Sequence, residues 1–106
     1  MSVYLIAMRE KPVRDSEAMA EYQRISRENS GRFDIKPLVV YGDMRVMEGE
    51  APDGVILLEF PSMEEAVAWY RSPSYQAAIP HRQKAADYRV FFVEGIDGPS
   101  SADHNG

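Results

Sequence analysis

The chain contains no cysteine. This absence excludes disulfide bonds, thiolate ligands for zinc and cysteine nucleophiles. Long apolar runs are also missing, since the longest, Val3 to Met8 and Val55 to Leu58, are far shorter than the roughly 20 residues that span a membrane. No basic segment precedes an apolar core and a cleavage site, so we expect no secretion signal and no membrane binding, and we expect a cytoplasmic protein.

Positive charge is scarce: 12 Lys and Arg stand against 17 Asp and Glu, for a net charge of −5. Along the first predicted helix the basic residues are interleaved with acids, so no basic face is available for nucleic acid. The sequence also lacks a glycine-rich phosphate loop, a GxSxG elbow, a histidine pair at metal-binding spacing and an HExxH motif. We therefore expect no metal site and no cofactor.

The remaining composition is that of one small globular domain, with 44% hydrophobic and 27% charged residues in 106. We expect a single domain over residues 1–96 and a disordered tail over 97–106, because the last ten residues are small, polar and turn-forming. A domain of this size buries only about two-thirds of its unfolded surface, so its stability should depend on association.

The stretch from Leu58 to Arg82 carries the clearest local signals. Pro61 closes a strand, and Ser62 with Glu65 forms a capping box, in which each side chain satisfies a free backbone amide. A helix is therefore predicted over residues 63–71.

A second helix should follow at once. Ser72 can cap its start, and Pro73 would occupy the first helical position, where a missing N–H costs nothing. Pro80 is expected to interrupt or kink this helix, which would leave His81 and Arg82 near a break.

The first half of the chain predicts a strand, a helix and an irregular strand. Val3 to Met8 is apolar on both alternating faces, which indicates a central strand covered from both sides. A helix should begin at Asp15 or Ser16 and end near Gly31. The run from Phe33 to Glu48 contains a proline and a glycine, which favours an edge strand with a bulge or bend.

Val55 to Phe60 is again apolar on both faces and predicts a second central strand, and Tyr88 to Ile96 alternates as a last strand. The order is β-α-β-β-α-β, an α+β arrangement with strands one and three in the middle of an antiparallel sheet and the helices on one face. The other face would expose a large apolar patch. We expect a two-fold homodimer that buries this open face.

Several motifs together resemble the domain of unknown function 1330 family. They are an opening YLIA strand, Gly31, VMEGE at residues 46–50, Glu59 to Ser62, Ser72 to Gln76, Arg82, and Val93 to Gly95. The resemblance implies a ferredoxin-like subunit of the dimeric α+β barrel superfamily and no established reaction. At residues 40–43 this chain has Val-Tyr-Gly-Asp where the family pattern has an Arg-Gly-Gly turn.

Candidate site residues lie where the cleft between sheet and helices should be. Arg82 could hold a carboxylate through a two-pronged hydrogen bond, and His81 could act as acid or base. Tyr75 and Ser72 could donate to a bound oxygen, and the apolar walls would come from Trp69, Tyr70 and Tyr22.

Structural roles compete with each of these functional ones. His81 is favoured as a solvated surface residue, Ser72 as a helix cap, and the aromatic residues as core. Arg82 could equally form an ion pair with Glu48, Glu59 or Glu94. For Glu59, which lies in an otherwise apolar strand, an ion pair is favoured over a raised pKa suited to proton transfer.

Two functions follow from these candidates. The favoured one is a non-catalytic dimeric module that binds a small metabolite, for which an anion is one candidate, or acts as an accessory protein. The alternative is a cofactor-independent isomerase or monooxygenase in which Arg82 positions an acid and His81, Tyr75 or Glu59 moves protons.

Overall fold

A computed structural model describes residues 2–96 of the chain. Its elements are β1 (Val3–Arg9), α1 (Ser16–Ser30), β2 (Lys36–Val40), β3 (Gly54–Phe60), α2 (Met63–Arg71), α3 (Pro73–Ala85) and β4 (Tyr88–Glu94). The strands form one antiparallel sheet in the order β2-β3-β1-β4. This confirms the α+β arrangement with β1 and β3 in the middle. The tail expected over residues 97–106 lies outside the described residues.

Alternation along β1 separates the two faces of the sheet. Val3, Leu5 and Ala7 are buried beneath the helices, whereas Tyr4 and Ile6 are only half-buried on the opposite face. A strand sends successive side chains to opposite faces, so the paired residues of β3 and β4 divide in the same way. We call the side away from the helices the open face.

An aromatic cluster joins the helices to the covered face. The rings of Trp69 and Tyr75 lie 4.1 Å apart between centroids, and Phe60 packs 5.4 Å from Trp69. Ala66 and Ala78 are fully buried, which lets α2 and α3 approach the sheet closely. These aromatic side chains therefore have the core role that the sequence favoured for them.

The structure confirms both predicted helix starts. Ser62 Oγ accepts a hydrogen bond from the Glu65 amide at 3.2 Å, and Ser72 Oγ accepts one from the Tyr75 amide at 3.4 Å. Replacing such a cap by alanine typically costs about 1 kcal/mol. The two caps therefore fix where the chain turns between β3 and α3.

The break expected at Pro80 was wrong, because α3 continues through this residue to Ala85. Proline removes one hydrogen bond, the one that would run back to the carbonyl of Gln76. Both Pro80 and Gln76 are exposed, so water can satisfy the freed carbonyl. The helix tolerates the missing bond because the loss falls on its solvent side.

The second strand is shorter than predicted. It covers only Lys36–Val40, pairs as an edge strand, and has a bulge between Pro37 and Val39. Tyr41 then adopts the left-handed region with a φ of 54°, which ends the strand. The edge position was correct, whereas the extension to Glu48 was not.

The open face carries a row of apolar side chains from three adjacent strands. Ile6 is paired in register with Leu57 on one side and Phe91 on the other. Phe91 and Val93 are each 43% exposed. Within residues 2–96, no helix is long and apolar enough to cross a membrane.

Candidate functional site

A cavity of about 460 Å³ lies between the covered face of the sheet and the helices. Its floor is made by small and branched apolar side chains of β1, β3 and β4, namely Leu5, Ala7, Ile56, Leu58 and Val90. Its roof comes from α1, which packs chiefly against α3 and leaves space above the sheet. The fold therefore produces a concave, mostly apolar chamber.

Within the described part of the chain, the one charged group in the wall of this cavity besides the exposed Arg27 is Arg82. The residue is only 7% exposed, and its Nε is buried without a hydrogen-bond partner. Its guanidinium carbon lies 5.7 Å from the centre of the Tyr88 ring, a cation–π contact. Among the described residues, no carboxylate lies within ion-pair distance of it. The ion pair considered for Arg82 with Glu48, Glu59 or Glu94 is therefore not formed.

Two tyrosines place hydroxyl groups beside Arg82. The hydroxyls of Tyr22 and Tyr75 are 2.9 Å apart, and Ser26 of α1 also lines the cavity. Burial raises the pKa of Tyr75 and of Tyr22, and the positive charge of Arg82 opposes this only in part. These hydroxyls consequently remain protonated near neutral pH and can donate hydrogen bonds.

A second tyrosine pair lies where β1, β3 and β4 meet at one end of the sheet. The hydroxyls of Tyr41 and Tyr88 are 2.6 Å apart, and both residues line the cavity. Arg9 lies 4.6 Å from the centre of the Tyr41 ring and bonds Asp53 through Nε at 2.7 Å. Burial raises the pKa of Tyr41, and the hydrogen bond with Tyr88 adds to the shift.

Sequence reasoning missed this second pair. Arg9 is the register partner of both Tyr88 and Gly54, so the three strand ends become neighbours only once the register is known. The one signal in the sequence was that Tyr41 lies in the stretch, residues 40–43, that departs from the Arg-Gly-Gly turn of the family pattern.

Of the residues predicted for the site, Arg82, Tyr75, Trp69 and Tyr22 all line the cavity. The indole Nε1 of Trp69 is buried and has no hydrogen-bond partner within residues 2–96. Ser72 serves as the cap of α3 and also donates to the Trp69 carbonyl at 2.7 Å. Its hydroxyl is therefore held by the backbone.

Two of the predicted proton-transfer residues lie elsewhere. His81 is half-buried and is not part of the cavity wall, because adjacent residues of a helix point about 100° apart. Glu59 lies on the open face, where the Tyr4 hydroxyl donates to it at 3.4 Å. The ion pair favoured for Glu59 is not formed with any described residue. His81, Arg82 and Glu59 do not converge on one pocket.

The four-stranded antiparallel sheet with helices on one face defines a ferredoxin-like α+β protein. Residues 2–96 match the model of the domain of unknown function 1330, and the chain belongs to that family. No curated protein is significantly similar to it.

Solved structures share this fold. A protein of unknown function from Rhodopseudomonas palustris is 25% identical with a TM-score of 0.69, over 91% of this chain and 83% of that one. A dimeric ferredoxin-like protein of unknown function from Jannaschia sp. CCS1 is 18% identical with a TM-score of 0.60, over 90% of this chain and 100% of that one. A Caulobacter crescentus protein proposed to be an antibiotic biosynthesis monooxygenase is 12% identical with a TM-score of 0.54, over 91% of both chains.

Proposed function

We propose that the chain binds a small, largely apolar monoanion of the carboxylate type in the cavity, with Arg82 as its electrostatic anchor. The observation that carries this proposal is a guanidinium that is 7% exposed and has no carboxylate partner among the described residues. Leaving a buried charge unpaired is costly. An anionic ligand would supply the missing charge, which explains why the chain tolerates such a residue there.

The rest of the lining supports an apolar body for this ligand. The floor is aliphatic, and Trp69 and Tyr75 form an aromatic wall. A volume of about 460 Å³ is within the range of roughly 300–1,000 Å³ typical of small-molecule pockets. A planar guanidinium matches a carboxylate with two parallel hydrogen bonds, and the neighbouring tyrosine hydroxyls add donors.

The same proposal includes a homodimer formed through the open face. Ile6, Leu57 and Phe91 make a continuous apolar row there, and no described part of the chain covers it. The Jannaschia protein, which shares the fold, is described as dimeric. A two-fold partner would bury this row and leave the cavity, on the other side of the sheet, accessible.

Binding is favoured over the isomerase or monooxygenase alternative. Proton transfer needs an acceptor whose pKa is near the working pH. Within residues 2–96, the groups that line the cavity include no histidine and no carboxylate, and burial keeps Tyr75 protonated. The likeness to a monooxygenase-type protein concerns the fold alone.

The test compares two ligands of nearly the same shape, 4-isopropylbenzoate and its uncharged amide, by calorimetric titration. Since hydrogen bonds to a charged group contribute about 1.5–3 kcal/mol, the carboxylate should bind about tenfold to a hundredfold more tightly. Arg82→Gln should lose this preference, whereas the control Arg71→Gln, at the exposed end of α2, should keep it. Equal binding of carboxylate and amide, or unchanged binding by Arg82→Gln, would contradict the proposal.

A further inference from the structure

The hydroxyls of Tyr41 and Tyr88 form a second polar group in the cavity that the anchoring of an anion does not use. They are 2.6 Å apart, and the Tyr88 ring also lies 5.7 Å from the guanidinium carbon of Arg82. The cavity therefore contains a second pair of hydroxyls in addition to the Tyr22–Tyr75 pair.

A count of protons shows what this pair can offer to a ligand. Two hydroxyls joined by one hydrogen bond use one of their two protons, so one O–H is left to donate. Arg9 Nη1 approaches the Tyr88 oxygen at 3.5 Å and can only donate to it, so it does not take up that proton. Burial raises the pKa of Tyr41, which keeps the hydroxyl protonated. The pair is a donor toward the cavity.

The placement of Tyr41 is specifically built. Its φ of 54° is rarely adopted by a bulky residue, and its amide donates to the Val55 carbonyl at 2.9 Å. Gly54 makes room for its ring, because a Cβ at that position would lie 2.5 Å from Tyr41 Cδ1. Arg9 covers the ring from another side. Backbone strain of this kind is concentrated at functional sites.

We propose that the Tyr41–Tyr88 pair recognises a second, uncharged acceptor oxygen of the ligand, separate from its carboxylate. This inference rests on the proposed function, since Arg82 is taken as the anchor of the anionic end. It defines the ligand class as apolar monocarboxylic acids that carry a further carbonyl or ether oxygen. Amines are excluded from the class, because the described lining offers no carboxylate to receive an N–H⁺.

The test uses 4-acetylbenzoate and 4-isopropylbenzoate, which differ in a carbonyl oxygen against a methyl group at nearly constant shape. Calorimetric titration of the wild-type chain should show the acetyl compound binding several-fold more tightly, up to about tenfold, as one neutral hydrogen bond provides. Each single variant, Tyr41→Phe or Tyr88→Phe, leaves one hydroxyl with its proton and should keep part of the preference. The double variant should lose it and still bind 4-isopropylbenzoate, because phenylalanine preserves both rings.

Tyr4→Phe on the open face serves as the matched control and should keep the full preference. Fluorescence of Trp69, the one tryptophan of the chain and part of the cavity wall, reports whether each variant retains the native cavity. If both compounds bind through Arg82 with equal affinity, or if the double variant keeps the preference, the inference is wrong and the proposed function stands. If neither compound binds, the proposed function fails and this inference with it.

Discussion

Gly54 and Tyr41 fit together because residue 54 has no side chain. A Cβ at this buried position would lie 2.5 Å from Cδ1 and 2.9 Å from Cε1 of the Tyr41 ring. Atoms cannot approach so closely, so any larger residue must displace the ring and with it one wall of the cavity.

Gly54→Ala is therefore expected to destabilise the fold by about 1–3 kcal/mol, the usual cost of overpacking. Urea denaturation at a fixed protein concentration measures this change. Gly31→Ala is the control, because a Cβ there meets no atom within 4 Å, and it should be neutral or slightly stabilising. A Gly54→Ala variant as stable as the wild type would show that the Tyr41 ring is not held in place.

Arg82→Met tests whether the buried guanidinium serves binding rather than folding. Methionine fills a similar volume without a charge, so removing the unpaired cation should leave the free energy of unfolding unchanged or raise it by about 1–2 kcal/mol. Carboxylate binding should be lost in the same variant. Arg71→Met, at the exposed end of α2, is the surface control and should change stability by less than about 0.5 kcal/mol. A marked loss of stability in Arg82→Met alone would assign Arg82 a structural role.

Alkaline pH should destabilise the protein through its buried tyrosines. Burial raises the pKa of Tyr22, Tyr41 and Tyr75, so above about pH 10 the unfolded chain releases protons that the folded chain retains. Stability from these groups is complete below that pH and falls as the pH rises toward the folded pKa, by about 1.4 kcal/mol per pH unit for each tyrosine. Urea denaturation between pH 9 and 11 measures the slope.

In Tyr75→Phe the free energy of unfolding should fall less steeply with rising pH. The difference should correspond to roughly one proton, about 1.4 kcal/mol per pH unit. Below pH 9 the variant and the wild type should depend on pH in the same way. A slope that does not change in Tyr75→Phe would mean that its hydroxyl ionises as readily in the folded chain as in the unfolded one.

A single charge on the open face should prevent association. Leu57 lies in the middle of the apolar row beside Ile6, so Leu57→Glu would place a carboxylate inside the proposed interface. Light scattering after size exclusion should give twice the chain mass for the wild type and the mass of one chain for the variant. Ala77→Glu on the exposed side of α3 is the control and should remain dimeric. A wild-type monomer would contradict the proposed homodimer.

The local signals in the sequence were sufficient for the fold. Ser62 and Ser72 determine their helix starts through contacts three residues away, so the chain itself carries the information. The run from residue 42 to 48 was misread because Met44, Val46 and Met47 have strand-like hydrophobicity but are exposed in a segment without a strand partner. Hydrophobicity alone does not show whether a neighbouring strand is available.

The candidate site was only partly predictable. Arg82, Tyr75 and Trp69 follow from the family-like stretch and helical spacing, and the structure places them in one wall. The sequence could not show on which face of the sheet Glu59 lies. Strand β3 is apolar on both faces, so its pattern does not tell which face the helices cover. The Tyr41–Tyr88 pair depends on strand register, which no single segment encodes.

The most direct test of the central claim is a crystal structure of the chain with 4-isopropylbenzoate. We predict that the ring lies between the sheet and the helices and that the carboxylate lies within about 3 Å of the Arg82 guanidinium, the distance of a charge-assisted hydrogen bond. A molecule bound on the open face, or a cavity left empty at a concentration that saturates the protein in solution, would contradict this claim.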